Sequence, residues 1–359
     1  MPSILQVTTI LAIAGLAMAA PRKGKPILHK REALPEYAIT YAPLSYLYSG
    51  EKWWPSDITE HLANVEPEVN YTATGTNGSV TVGTLDSYAS DVYLTASDGP
   101  ILDPSESTPA WLASGYGIPD SDGLSAAPGL IIAVEKNSTT TDVFYFYFYS
   151  YNYGGEVLDI HFDNHVGDWE HVMVRIEGFV IRFVDEEPYA IYCSQHSAGS
   201  AYYWDVVDFS GDRPLTYIAY GGHANYVTAG TQDYTIALGI VSDTTDAGYL
   251  WDMTLNYRGY WYDVDTEEFT VAGGAGTGAT EESSETADWL SWLGYWGDEQ
   301  YPDGLLKDIE TGQYCILSEC HYTSGPTGPV DKNLGRTTVC EKDDDCTIFD
   351  NIDDLTHQS

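Results

Sequence analysis

The sequence predicts an all-β protein, a β-sandwich with long irregular loops, a few short helices and a disulfide-bearing C-terminal tail. Three observations lead there. The 359 residues include 34 Gly, 29 Tyr and 10 Trp, a mixture of turn formers and strand-favouring rings with few long helical periodicities. Phe144-Tyr145-Phe146-Tyr147-Phe148-Tyr149 is a continuous aromatic run that suits a central strand covered on both faces. From Asp168 onward the pattern alternates with the period of two of a strand. Asp168, Glu170, Val172, Val174 and Ile176 fall on one face, and Trp169, His171, Met173 and Arg175 on the other.

Taken in order, residues 1–19 read as a secretory signal peptide: an apolar run from Ile4 closes on the small residues Ala17-Met18-Ala19 and is too short to span a bilayer. Residues 20–31 read as a propeptide, basic and ending in Lys30-Arg31 before Glu32-Ala33, which looks like a kexin-type processing site of a fungal secreted protein; an ordinary basic linker is the alternative. A β-sandwich domain is expected over 32–310 and a Cys-bearing acidic tail over 311–359. Three glycosylation sequons, at Asn70, Asn77 and Asn137, agree with passage through the secretory pathway, extracellular or vacuolar. No later segment approaches the ~20 continuous apolar residues of a transmembrane helix.

Charge narrows the partners. There are 15 Lys and Arg against 54 Asp and Glu, a net charge of −39, and Arg22, Lys23, Lys25, Lys30 and Arg31 belong to the leader. Such a surface repels nucleic-acid phosphates and anionic lipid headgroups. It suits solubility in an acidic medium.

Within the domain, Pro55-Ser56-Asp57 opens a short helical stretch through His61. Residues 72–84 read as an exposed loop, and residues 99–128 as a long irregular excursion rich in Pro, Gly and Ser. Strands are expected at Ala190–Ser194 and Leu215–Tyr220, each ending in a loop that bears a histidine, His196 and His223. Residues 272–285 have the composition of a flexible loop. Ala287–Trp296 reads as a short amphipathic helix with Trp289, Leu290, Trp292 and Leu293 available for packing. In the tail, Cys315, Cys320, Cys340 and Cys346 form an even local cluster, read as two disulfides with three connectivities open. A four-thiolate zinc site would need tighter paired spacings and a reducing compartment. Cys193 stands alone in a strand and reads as a small buried hydrophobe, with a Cys–His nucleophile alongside His196 as the remote alternative.

The chemistry concentrates in Asn164–Ile176, NHVGDWEHVMVRI. Two carboxylates at the mouth of an apolar face are costly without a counter-charge or strong donors. A divalent cation held by His165, Asp168 and Glu170 is the expectation; oxygen donors favour Ca²⁺, Mg²⁺ or Mn²⁺, while the imidazole admits Zn²⁺. Satisfaction by loop amides is the alternative. His196 and His223 are expected to complete the site if three strand ends share one rim, and His171 to point away from it.

HVGDWEHVMVRI, YCSQHSAGSAYYW and RPLTYIAYGGHANY, with the earlier YAPLSYL and PSDI and the later GYLWD, resemble the fungal vacuolar protein sorting-associated protein 62 family over most of residues 37–300. That resemblance implies a protein-sorting role rather than a reaction. A more distant similarity is to the necrosis-inducing cytolysin family, whose heptad GHRHDWE helps hold a divalent cation on an actinoporin-like β-sandwich. His165, Asp168, Trp169 and Glu170 match it, Gly167 replaces its second histidine and Asn164 its leading glycine. Asn152, Asp159 and Asp163 are the candidates for its upstream aspartate.

Three functions are therefore carried forward. The first is a secreted or vacuolar cation-dependent binder of an extracellular glycan or glycolipid-type ligand, with Tyr202, Tyr203 and Trp204 as possible stacking surfaces. The second is a metal-assisted glycoside or ester hydrolase using Asp168 and Glu170. The third is a vacuolar protein sorting component. Whether the chain catalyses anything, and its oligomeric state, stay open at this level.

Overall fold

A computed structural model describes residues 33–97, 109–112, 115–157, 160–179, 184–233, 242–279, 286–302, 312–316, 319–342 and 346–352. The leader and propeptide readings, Asp159 and the acidic run 343–345 lie outside the described residues. The larger sheet is built from β1 (Gly129–Asn137), β2 (Thr140–Asn152), β3 (His165–Phe179), β4 (Val184–Gln195), β5 (Ala198–Tyr203), β6 (Tyr257–Asp263), β7 (Glu268–Ala275) and β8 (Ile348–Phe349). Their spatial order is β7-β6-β1-β2-β3-β4-β5-β8. The β6–β1 and β5–β8 pairs are parallel and the rest antiparallel. A smaller sheet is organised on Leu44–Leu47, flanked by Arg213–Ile218 and Tyr249–Trp251.

The aromatic run sits in β2, central and buried on both faces. Alternation sorts its rings by chemistry. Phe144, Phe146 and Phe148 face a layer containing the Ile58–Ala63 helix, Trp289, Trp292 and Trp296. Tyr145, Tyr147 and Tyr149 face the smaller sheet, beside Leu47, Ile218 and Trp251. Two hydroxyls of the run find partners on that second side: Tyr145 donates to Ala38 O at 2.9 Å, and Tyr147 bonds Ser45 Oγ at 2.7 Å. Such partners offset the cost of burying a phenol, a cost the three phenylalanines do not carry. β3 obeys the same division, with Val172, Val174 and Ile176 on the tyrosine side and Trp169 and Met173 on the phenylalanine side.

The helix expected through His61 is present as Ile58–Ala63, capped by Asp57, whose carboxylate accepts from Thr59 N and Glu60 N. Two expectations are corrected. Residues 287–296 do not form an amphipathic helix; only Asp288–Ser291 makes a 3₁₀ turn, and the chain leaves it extended at Trp292. Trp289 and Trp292 instead pack their rings 6.1 and 5.9 Å from Trp296, while Leu293 is 51% exposed. Tertiary packing of indoles has overridden the local pattern. Residues 272–275 of the expected loop belong to β7 and 276–279 to a 3₁₀ turn.

The tail carries two disulfides, Cys315–Cys320 and Cys340–Cys346, which settles the connectivity. It also supplies core: Leu334 and Val339 join the phenylalanine-side layer, and Arg336 is 1% exposed with its guanidinium over the Phe144 and Tyr192 rings. Arg175 reaches the same segment, donating to Thr337 O and Thr338 O while it holds fully buried Asp142 in a bidentate pair. Cys193 is unpaired and buried, and burial pushes its thiol far above the usual range, so the reactive-thiol alternative has no support. The sequon residues Asn70, Asn77 and Asn137 are all exposed. Among the described residues no helix is long and apolar enough to cross a membrane.

Candidate functional site: a polar cavity at the rim of the sandwich

The site begins with one glycine. Alternation from Asp168 would place Val166 beside the carboxylates, yet Val166 packs with Trp169 and Met173 on the opposite side. Gly167 is in the left-handed region at φ +67°, and there the strand changes the side it presents. His165 is thereby returned to the side of Asp168 and Glu170. All three line one cavity of about 570 Å³, together with Asn152, Asp163 and His196. Gly167 is also pressed against its neighbours: a Cβ built on it would lie 2.3 Å from Trp296 O.

Asp168 and Glu170 are buried, at 5% and 4% exposure, and each is held by a different loop. Asp168 Oδ2 meets His223 Nδ1 at 2.9 Å, and His223 Nε2 donates to Trp53 O at 2.9 Å. The His223 ring is stacked on Tyr149, 3.6 Å between centroids and 2° from parallel. With both nitrogens engaged and no exposure, His223 positions Asp168 rather than facing the cavity. Glu170 accepts from the Ser194 hydroxyl and from His196 N at 3.2 Å; Ser194 Oγ in turn accepts from His171 N at 2.7 Å. Burial, reinforced by the neighbouring Asp168 carboxylate, raises the Glu170 carboxyl to about 8.

His196 lines the cavity and turns its Nε2 to Asp243 Oδ2 at 3.0 Å, an oxygen that also accepts from Tyr226 at 2.7 Å. Burial opposes a charged imidazole here, but the Asp243 carboxylate, with Glu170 and Asp163 behind it, outweighs this and raises the group to about 10. An acid pair and a cationic histidine thus share one rim. Asp163, His196 and His223 all have positive φ, at 65°, 56° and 53°. Non-glycine residues rarely hold that conformation, and it gathers at functional sites. His171 lies on the far side, beside Arg336 Nη2 at 3.3 Å, and burial, with the Arg336 charge, depresses it well below its ordinary value.

The tail builds the opposite wall. Asp163 N donates to Cys320 O at 2.8 Å and Asn164 N to His321 O at 2.9 Å, which brings Glu319, Thr323, Ser324 and Lys332 to the cavity. Asp163 itself accepts from Thr323 Oγ1 at 2.7 Å, and Asn152 donates to Asp163 O at 2.6 Å. Sequence reasoning did not find Ser194, Asp243 or this wall. Asp243 lies 47 positions from the histidine it holds, and no local pattern links them.

A cation can be tested against these residues. His165 Nδ1 donates to Gly167 O at 2.7 Å, which leaves Nε2 with its lone pair available, the arrangement a metal-ligating histidine uses. Asp168 and Glu170 supply hard oxygen donors. Among the described residues, however, no three His, Cys, Asp or Glu side chains stand together as a ligand set. The donor chemistry fits a divalent cation, and the side chains as placed are engaged with loop donors instead.

Fold and site together define a β-sandwich protein with a cavity at one rim where acidic and imidazole side chains meet. A family model of vacuolar protein sorting-associated protein 62 matches residues 130–267, which hold both carboxylates and both histidine loops. TDA6 of Saccharomyces cerevisiae, named for vacuolar protein sorting, is 33% identical over 87% of this chain and 70% of its own. Vacuolar protein sorting-associated protein 62 of the same yeast is 31% identical over 88% of this chain and 69% of its own. The chain belongs to the vacuolar protein sorting-associated protein 62 family. A crystal structure of necrosis and ethylene inducing protein 2, from the causal agent of cocoa's witches' broom disease, is matched far more loosely. It is 12% identical, covering 55% of this chain and 69% of that chain at a TM-score of 0.28.

Proposed function

We propose that this chain is a luminal binding protein of the secretory pathway or vacuole, taking a glycan or glycolipid headgroup in the rim cavity. One observation carries the reading: a cavity of about 570 Å³ where carboxylates, hydroxyls, imidazoles and Asn152 converge beside the Phe162 and Trp169 rings. Neutral, hydroxyl-rich ligands are recognised by such convergent donors and acceptors. The names of the yeast relatives support the compartment, and the strongly acidic composition suits a lumen of low pH.

Within this reading a divalent cation would be held by His165, Asp168 and Glu170, supplying a positive centre for sugar hydroxyls. The chain's own residues then have distinct tasks. His223 fixes the direction of Asp168, Ser194 and the His196 amide fix Glu170, and Asp243 keeps His196 charged at the rim.

Glycan-array binding followed by calorimetry on the best soluble oligosaccharide tests this. Glu170→Gln and Asp168→Asn should weaken binding at least tenfold, and chelation followed by Ca²⁺, Mg²⁺, Mn²⁺ or Zn²⁺ repletion should abolish and restore it. No array signal with folded protein sinks the glycan reading. Binding untouched by chelator, with no metal by elemental analysis, removes the cation from it. Product formation in the same incubations would replace binding by hydrolysis.

A further inference from the structure

A second cavity, of about 320 Å³, lies at the other end of the β4–β5 hairpin. His196 is at the turn of that hairpin, whereas the second cavity borders Pro188 and Trp204, past the Ala190–Tyr203 pair that ends its ladder. Six residue pairs separate turn from end, on the order of 20 Å at the rise of a strand. The two cavities are therefore distinct sites.

Aromatic rings and carboxylates line it together. Trp204 stands between Tyr41 and Phe209, its ring 5.8 Å from Tyr41 at 81° and 5.1 Å from Phe209 at 56°. All three rings are half-buried, so each keeps surface for a ligand. Glu187 and Asp212 line the same cavity and are exposed, and neither has a hydrogen-bond or ion-pair partner among the described residues. Arg213, next in sequence to Asp212, is neutralised elsewhere, in a bidentate pair with Asp252 at 2.7 and 2.8 Å and in bonds to Ala42 O and Pro43 O.

We infer that this cavity binds an organic cation of the quaternary ammonium class, with Tyr41, Trp204 and Phe209 as its aromatic walls and Glu187 and Asp212 as counter-charges. Rings set at steep angles enclose a rounded group, whereas a sugar stacks on one flat platform. The negative faces of aromatic rings attract a cation, most strongly at Trp. A quaternary ammonium needs no hydrogen bonds and loses little on leaving water, so rings and carboxylates alone suffice to hold it. The two carboxylates add long-range attraction without requiring contact.

The probes are choline and tetramethylammonium chloride, titrated into the full chain by calorimetry. The neutral isostere 3,3-dimethylbutan-1-ol and sodium chloride serve as controls. Millimolar or tighter binding of both cations is expected, at least tenfold better than the isostere and lost in Trp204→Ala. Because Trp204→Ala could disturb the fold, the exposed double variant Glu187→Gln/Asp212→Asn is the second arm, expected to weaken choline at least fivefold with an unchanged circular dichroism spectrum. Co-sedimentation with phosphatidylcholine vesicles but not phosphatidylglycerol vesicles would identify a lipid headgroup as the source of the cation; choline binding without sedimentation would identify a free solute. Equal binding of choline and the isostere, or no loss in either variant, overturns the inference.

Discussion

Gly167→Ala is the sharpest test of how the rim is built. The residue lies at φ +67°, where a Cβ costs roughly 1–2 kcal/mol by itself. The added methyl would stand 2.3 Å from Trp296 O and 2.8 Å from Trp296 C, and a backbone carbonyl cannot swing aside as a side chain can. Strain and displaced packing together bring the expected loss to about 3 kcal/mol, or a melting point lower by about 4 °C for a domain of this size. The control is Gly178→Ala in the same strand, whose Cβ would meet only the Glu186 side chain at 3.6 Å and should change stability by less than ~0.5 kcal/mol. Scanning calorimetry on the two variants and the parent gives the comparison. Equal shifts for both, or no shift at Gly167, would refute the claim that this position's conformation sets which side His165 faces.

Arg175→Met should cost about 3–5 kcal/mol in denaturant titrations, because among the described residues it leaves the fully buried Asp142 carboxylate with Lys136 alone as a cation, 3.5 Å away; adding Asp142→Asn should recover part of that loss, and a double variant no better than the single would count against it. A pH effect is expected at Asp298, whose carboxyl is pushed up to about 7 by burial. A raised carboxyl favours the fold while protonated, so its contribution is complete below the unfolded value near 4 and is lost as pH rises through 7. Asp298→Asn should therefore gain stability over the parent progressively between pH 4 and pH 7, by at most ~4 kcal/mol; a difference independent of pH excludes this. His61, lowered to about 4 by burial, acts oppositely: its contribution is complete above its unfolded value near 6.5 and is lost as pH falls through 4. His61→Gln, keeping a hydrogen-bonding side chain beside Ser150 and Trp296 O, should narrow the parent's loss in acid, and thermal melts from pH 3 to 7 would show it.

Much of this architecture is legible in local patterns, because strand alternation is a local property. The Phe-Tyr run announces a two-faced central strand, and the text after Asp168 announces which side chains travel together. Alternation fails at Gly167, since a positive φ leaves no mark in hydrophobic pattern beyond the glycine itself. Even so, the H-x-x-D-x-E spacing places His165 with the carboxylates. The partners that fix the site are not legible: Ser194, Asp243 and the Glu319–Lys332 wall meet it through long-range pairing. The indoles at 289, 292 and 296 mislead for a related reason, as their mutual packing overrides a helical spacing.

The position of Arg336, Leu334 and Val339 inside the core has a consequence for biogenesis. The phenylalanine face of the central sheet, laid down by residues 144–148, has no complete cover until residues some two hundred positions later have been synthesised. Among the described residues the sheet's outer edge at β5 is likewise capped by β8, at Ile348–Phe349. Until then a nascent chain leaves the aromatic surface at Phe144 and Tyr192 short of the Arg336 segment and, once β5 is made, a strand edge unpaired. A stop codon ahead of Arg336 would therefore leave a chain unable to cover this part of its own interior.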